Sequence, residues 1–408
     1  MKIVKVVVVG FGDRGGAYTK YAIDHPDRLK VQAVVDPNPF RRQLAKERFS
    51  LSEEMLFESV TDCVNRGKIA DAVINTTMDE LHIETALPFL KLGYDMLLEK
   101  PVTNNKKDLL MLKSIADRYG CKLMVCHVLR YTPFYLKIKE IVLSGEIGKI
   151  VEIESNEMVG VAHASASYIR GKWNNREKCG SSMLLAKCCH DMDILRWIID
   201  KKCVNVASFG DLSFFKKENQ PVGASAYCSD CRIQDCVYKA QKLYVEYPWM
   251  SRYYNRKEDT EENILNELVH TDYDRCVFDS DNNVVDHQCT ILQFEGGVVA
   301  THTMTAFSKE IYRDLKIHGT KAELCGNVEG NELELRVFGK DVQKVDLGKG
   351  DVAYGGHAGG DMGLMHELYL YLNGEKTSGI SCIDISIDSH KMAFAAEESR
   401  LTKTIVAL

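Results

Sequence analysis

Apolar residues fall into two kinds of run along this chain, and through the first third the two kinds alternate. Residues 6–9 are four consecutive valines, a β-branched run that suits a strand buried on both faces. Behind it, Tyr18, Tyr21 and Ala22 recur at helical spacing. Residues 31–35 predict a second strand, Pro39–Phe49 a helix, 70–76 another buried strand, and 82–93 a helix ended by Gly93. The order continues with a strand at 94–98, a helix at 106–119 with Gly120 just past its end, and a strand at 122–127. Such alternation predicts a doubly wound parallel sheet with helices on both faces, forming one domain over residues 1–128.

From about Arg130 the pattern changes. Residues 135–143 and Met183–Ile199 read as helices, and Ile150–Met158 as a strand. Residues 290–294, 298–306, 314–318, 322–326 and 333–338 are β-rich or alternate, which predicts a mostly antiparallel sheet. Helices at 366–373 and 386–401 close the pattern. Residues 129–408 are therefore read as a second α/β domain, with an irregular, polar, aromatic-rich insertion at 216–271.

Composition narrows the classes. The 408 residues suffice for two domains, and 45 % hydrophobic with 27 % charged residues is ordinary for a globular chain. A net charge of −6 offers no basic surface for nucleic acid. No run is long enough to span a bilayer, and residues 1–10 make one strand, too short for a signal-peptide core. The expectation is a cytoplasmic protein whose 14 cysteines are thiols or metal ligands rather than disulfides.

The chemistry starts at the first turn. Gly10, Gly12 and Gly15 follow the valine run in G-x-G-x-x-G spacing, with Asp13 and Arg14 inside the motif, and Asp36 ends the second strand 21 residues beyond Gly15. Gly10 permits the tight turn, Gly12 lets the backbone approach a pyrophosphate, and Gly15 lets helix and strand pack closely. Helix N–H groups then face the phosphates, and a carboxylate at Asp36 suits the ribose hydroxyls. That carboxylate favours NAD over NADP, although Arg41 and Arg42 just beyond could grip an extra phosphate. Asn75-Thr76-Thr77, Glu99-Lys100-Pro101 and His127 all fall at carboxyl ends of predicted strands, where open parallel sheets bind ligands. Lys100, held out of helical geometry by Pro101, is placed to reach a nicotinamide.

Together these residues resemble the Gfo/Idh/MocA oxidoreductases, a family that includes glucose–fructose oxidoreductase and inositol dehydrogenase. The likeness rests on Gly10, Gly12 and Gly15, on Thr76 with His82 six residues on, and on Glu99-Lys100-Pro101. Arg130-Tyr131-x-Pro133 is similar to the family's crossover into the second domain, and His190-x-x-Asp193 to its catalytic-histidine region. The resemblance implies a nucleotide-binding domain, an α/β domain that commonly mediates dimers or tetramers, and oxidation of a sugar, cyclitol or related polyol. It makes Thr76, Thr77, His82, Glu99, Lys100 and Arg130 cofactor-side candidates. One departure stands out: the family has an aspartate four residues before the histidine, and here that place is Ala186, with Lys187 three before His190. Lys187, His190 and Asp193 share one helix face. The histidine suits transfer of the hydroxyl proton, and Lys187 and Lys100 could hold the developing alkoxide. The bland alternative pairs Asp193 with Arg196 or Lys187 on a solvated face.

Other residues add candidates. His127, His163, Tyr168, Arg170 and Trp173 could stack on a sugar or bond its hydroxyls, and the glycine-flanked His357 could line the same cleft. Cys228-x-x-Cys231-x4-Cys236 has spacing that suits tetrahedral zinc, with Cys276 or a nearby histidine as fourth ligand. Three cysteines are not the paired arrangement of a typical zinc motif, so packed thiols are the default and no metal is assigned. Three functions are weighed: a dehydrogenase acting on a carbohydrate-like substrate, an NAD-dependent glycoside-cleaving enzyme that oxidises a sugar transiently, and a non-catalytic nucleotide sensor. Net NADH formation marks the first, aglycone release without net NADH the second, and binding without turnover the third.

Overall fold

The computed structural model describes residues 1–255, 258–348, 359–375 and 379–408. It divides into two compact units, one of Met1–Glu146, Met192–Lys202 and Asp346–Phe394, the other of Ile147–Asp191, Cys203–Val345 and Ala395–Leu408. This differs from the single cut expected after residue 128, because late segments return to complete the first unit.

In the first unit, β1 (Val4–Val9), β2 (Leu29–Val35), β3 (Leu56–Phe57), β4 (Ala72–Asn75), β5 (Asp95–Leu98) and β6 (Leu123–Val125) form an all-parallel sheet in the order β3-β2-β1-β4-β5-β6. The valine run explains its central strand. Val4, Val6 and Val8 enter one core with Tyr18 and Tyr21, while Val7 and Val9 enter the other with Phe89 and Leu98. Strand order reverses between β1 and β4, so their carboxyl ends flank the crevice where such sheets bind ligands. Helices Asp13–Asp24, Pro39–Phe49, His82–Lys91 and Lys106–Arg118 lie close to their predicted bounds. Asn38 and Asn105 cap two of them by accepting from Phe40 N and Lys107 N.

The helix expected from His366 starts at Gly360 and runs to Leu372. Its glycines serve close packing rather than looseness. A Cβ on Gly360 would meet Val128 O at 2.4 Å, and one on Gly363 would meet Tyr131 Cβ at 2.8 Å. Leu364, Met365, Leu368 and Tyr369 complete the core beneath β1.

In the second unit, β7 (Ile150–Met158), β8 (Cys203–Asp211), β9 (His287–Phe294), β10 (Val299–Thr305), β11 (Tyr312–Gly319), β12 (Ala322–Asn327), β13 (Glu332–Val337), β14 (Gln343–Lys344) and β15 (Val406–Ala407) form one sheet in the order β14-β13-β12-β11-β7-β10-β9-β8-β15. Only β10 and β7 run parallel. The insertion is not irregular throughout. It carries helices Ala240–Glu246 and Glu261–Leu268, which bury Leu243, Tyr244, Ile264 and Leu268 with Cys228 and Ala166 in a small core. Among the described residues, no helix is long and apolar enough to cross a membrane.

Candidate functional site

The first turn of the first unit is built for close approach. Gly10 has φ +83°, and a Cβ there would meet Thr76 O at 2.8 Å; one on Gly15 would meet Gly10 O at 2.3 Å. Thr76 holds this turn, its Oγ1 donating to Gly10 O at 2.5 Å and its N–H to Val9 O. At Gly12 a Cβ would meet nothing nearer than the Arg41 guanidinium at 3.8 Å, so the backbone there is open on the side a diphosphate would approach. Helix Asp13–Asp24 begins at this point with no side-chain cap, and Asp13 is exposed in its first turn. Asp36, 1 % exposed, accepts from Phe11 N at 2.7 Å and from Asn38 N at 2.8 Å. Arg41 lies 3.5 Å from its carboxylate, and Arg42 donates to its backbone oxygen at 2.6 Å.

Arg14, expected on the cofactor side, has its guanidinium committed elsewhere. It donates to Glu99 at 3.0 Å, to Asp361 through two bonds of 2.6 and 3.1 Å, and to Tyr18 OH at 2.7 Å. Buried Glu99 also accepts from Tyr18 OH at 2.6 Å and from Lys100 N at 2.6 Å. Burial pushes the Glu99 carboxyl up, but the Arg14 and Lys100 charges outweigh it and hold it below its ordinary value. Glu99 therefore anchors the start of the Lys100-Pro101 segment as a carboxylate.

Two histidines fix the rest of that segment, whose Lys100-Pro101 bond is cis. His82, fully buried, bridges Pro101 O at 2.7 Å and Thr77 O at 3.1 Å, so it holds strand ends together rather than facing a ligand. Thr77 bonds Asn75 and Thr85. His390, from the late helix Ile383–Thr402, accepts from Val102 N at 2.9 Å and donates to Ser386 O at 2.7 Å. Burial and His127 drive its pKa down to about 3. His127, 1 % exposed, is held well below its ordinary value by burial, then by Arg130 and Lys100. Both imidazoles are neutral.

His390 gives a pH prediction. Its folded pKa lies below its unfolded value of about 6.5, so the folded chain binds fewer protons and loses stability as pH falls from about 6.5 towards 3. At pH 5 this residue alone should cost about 2 kcal/mol. His390→Gln can still accept from Val102 N but does not titrate. Denaturant unfolding at pH 7 and pH 5 should show a correspondingly smaller acid loss in the variant, and equal losses would contradict the assignment.

Arg130 corrects the sequence reading. It is fully buried, donates to Asp193 through bonds of 2.5 and 2.6 Å and to Ile380 O at 3.3 Å, and lies over the Trp197 ring. It is a structural cation, not a cofactor ligand. Asp193 accordingly pairs with neither Lys187 nor Arg196, and its face is not solvated; Arg196 pairs with Asp388 at 3.1 Å.

In the second unit, helix Met183–Ile199 contributes its first half. Lys187 Nζ lies 3.2 Å from Glu157 Oε1 on β7. Arg313 of β11 pairs with the same fully buried carboxylate and donates to Asp191 at 3.0 Å. His190 is 4 % exposed, which excludes a solvated face for it. Ligand atoms of Cys188, Asp191 and His302 lie within 4.8 Å of one another, the one such metal-sized group among the described residues. Arg313 already neutralises Asp191, and burial pushes the Cys188 thiol up, so this trio suits packing better than a second cation. Glu157, Arg313 and His302 were not foreseen, because they come from separate strands and no local spacing joins them.

His163, Tyr168 and Trp173 do come together. His163 and Tyr168 ring centres are 5.8 Å apart, and Tyr168 stacks on Trp173 at 6.0 Å. Trp249 of the insertion, not anticipated, packs 5.6 Å from His163. This cluster surrounds a π-helical segment, Ala164–Ile169, a distortion common at functional sites. Arg170 departs from expectation: it is 2 % exposed and donates to Arg275 O and Tyr238 O, so it cannot serve sugar hydroxyls. His357 lies outside the described residues.

Comparison with known proteins agrees with this geometry. Residues 4–127 match the Gfo/Idh/MocA family described as an oxidoreductase family with an NAD-binding Rossmann fold, and residues 139–408 match that family's C-terminal alpha/beta domain. The Bacillus subtilis protein YteT is 25 % identical over 366 residues, 84 % of this chain and 82 % of that one. An inositol 2-dehydrogenase/D-chiro-inositol 3-dehydrogenase of Lactiplantibacillus plantarum is 23 % identical, but the match spans only 51 % of this chain and 55 % of its own. Among solved structures, a levoglucosan dehydrogenase in complex with NADH and levoglucosan aligns with a TM-score of 0.73 at 16 % identity, covering 100 % of this chain and 99 % of that one. An oxidoreductase domain protein from Kribbella flavida aligns with a TM-score of 0.74 at 15 % identity over 100 % and 99 % of the two chains.

Proposed function

Because the chain belongs to the Gfo/Idh/MocA family of NAD-binding oxidoreductases, we propose that it is a dehydrogenase that exchanges hydride between NAD and a carbinol carbon of a sugar, cyclitol or related polyol. The observation that carries the cofactor half is the first turn: backbone open at Gly12, a helix N-terminus behind it, and a buried carboxylate at Asp36. Asp36 would accept from the ribose hydroxyls and repel a 2′-phosphate, which supports NAD over NADP. When bound, the nicotinamide supplies the hydride acceptor.

The chain's own groups supply the rest. Lys100, whose backbone Glu99 orients, donates to the substrate oxygen. His190 takes the hydroxyl proton, an imidazole being suited to that task near neutral pH. Lys187, held by Glu157, keeps positive charge on the same helix face. The inositol and levoglucosan dehydrogenases among the similar proteins support a carbohydrate-like substrate. Exposed Phe209 and Ile291 on β8 and β9 support self-association of the second unit's sheet, as a homodimer or homotetramer.

The test is a screen of sugars, inositols and aryl glycosides with NAD and with NADP, following NADH absorbance and aglycone release together. Net NADH on at least one polyol, with NAD preferred about tenfold or more, is the expected result. Aglycone release without net NADH would replace this reading with redox-assisted glycoside cleavage. Cofactor binding with no turnover on any substrate would leave a nucleotide sensor.

A further inference from the structure

Four cysteines of the second unit line one small cavity of about 20 Å³: Cys228, Cys231, Cys236 and Cys276. They come from two stretches of chain that the backbone binds together. Tyr227 and Arg275 form an antiparallel bridge, flanked by Cys228 N donating to Asp274 O at 2.7 Å and Cys276 N donating to Ala226 O at 2.8 Å. Residues one step along each arm point away from that pair, so Cys228 and Cys276 share one face. Cys231 N donates to Cys228 O, and Cys231 lines the same cavity. His270, the nearby histidine, bonds Asp230 and is not part of the cavity lining.

The charges around this cavity call for a negative group. Arg170 and Lys239 also line it and are only 2 % and 8 % exposed. Arg170 donates to Arg275 O at 2.6 Å, to Tyr238 O at 2.5 Å and to Cys228 Sγ at 3.5 Å. Lys239 donates to Cys231 O, Ile233 O and Gln234 Oε1. Among the described residues, neither cation pairs with a carboxylate. Two buried cations held only by neutral groups are costly. Four thiolates on one divalent ion carry a net charge of −2, which offsets both.

We propose that Cys228, Cys231, Cys236 and Cys276 bind one zinc-class divalent cation in a closed, four-thiolate structural centre. No three of the sulfurs lie within 4.8 Å of one another in the structure. Zinc–sulfur bonds are about 2.3 Å, so binding draws the 228–236 loop inward around the ion. With all four positions taken by sulfur the ion has no open coordination site, and its role is to fasten the insertion. Arg170 carries that fastening to the segment bearing Tyr168 and Trp173.

The test is metal analysis of the full-length protein, purified without chelators from zinc-supplemented cells. About one zinc per chain is expected, and cobalt exchange should give thiolate-to-cobalt charge-transfer and tetrahedral d–d absorption. In the Cys231→Ser/Cys276→Ser double variant the metal should fall at least tenfold. Should that variant not fold, the cobalt spectrum of the unaltered protein decides. A metal-free protein that gives no sulfur–cobalt bands overturns the proposal. So do full metal occupancy in the double variant, which would point to Cys188, Asp191 and His302, and alkylation mass spectrometry showing these cysteines paired as disulfides.

Discussion

Asp193→Ala is expected to destabilise the protein by about 3–5 kcal/mol. The cause is the partner left behind. Arg130 is fully buried, and its two short bonds to Asp193 are its sole charge compensation among the described residues. Removing the carboxylate strands a guanidinium in the interior beside Trp197, where water cannot reach it. Thermal unfolding measures the loss. Asp193→Asn keeps shape without charge and should recover only part of it. Replacing both partners, as in Arg130→Met/Asp193→Leu, should cost less than Asp193→Ala alone, because no buried charge remains unpaired. If Asp193→Ala melts within a degree or two of the parent protein, the pair does not carry the weight its burial implies.

The second large effect concerns turnover. His190→Asn should lower kcat by about 10²- to 10⁴-fold, the range that a positioned proton acceptor supplies. Asparagine keeps a polar group of similar reach at this 4 %-exposed position but cannot take a proton. NAD affinity should be unchanged, since the cofactor groups proposed above lie at the first turn and strand ends. Fluorescence titration with NADH and unfolding of the same sample separate a chemical defect from a damaged fold. Unaltered kcat with a folded, NAD-binding variant would remove His190 from the mechanism.

The parts of this molecule that were legible in advance are those encoded by near neighbours in the chain. Four valines, three glycines and Asp36 specify a strand, a turn and a helix within one short stretch, and the structure contains them as read. Arg130 is a cofactor-side candidate in the sequence only through its place in the crossover motif, and nothing near it in the chain signals the carboxylate 63 residues away. The partner of the Arg14 side chain is hidden in the same way: its position in the glycine motif gives no sign of Asp361, 347 residues on. The helix from Gly360 was shortened because glycines that admit close backbone contact look the same, in one dimension, as glycines of a mobile loop. Strand β8 is hard to read for a related reason: its apolar residues, Cys203, Val204, Val206, Ala207 and Phe209, do not alternate, and its support comes from β9 across the sheet. The insertion's helices are short, and their stability comes from mutual burial rather than from local propensity.

The discontinuity of the first unit has a consequence for biosynthesis. Asp361, which clamps Arg14 in the first turn, and His390, which holds the backbone after Lys100, are translated 347 and 288 residues after the partners they hold. Leu364, Met365 and Leu368, which cover one side of the opening strand, also emerge late. The nascent amino-terminal segment therefore waits on the ribosome with an apolar surface bare until Leu364, Met365 and Leu368 have been made. Completion of the dinucleotide-binding unit therefore waits for these distant segments, and a gene fragment ending after the sixth strand would yield an insoluble product.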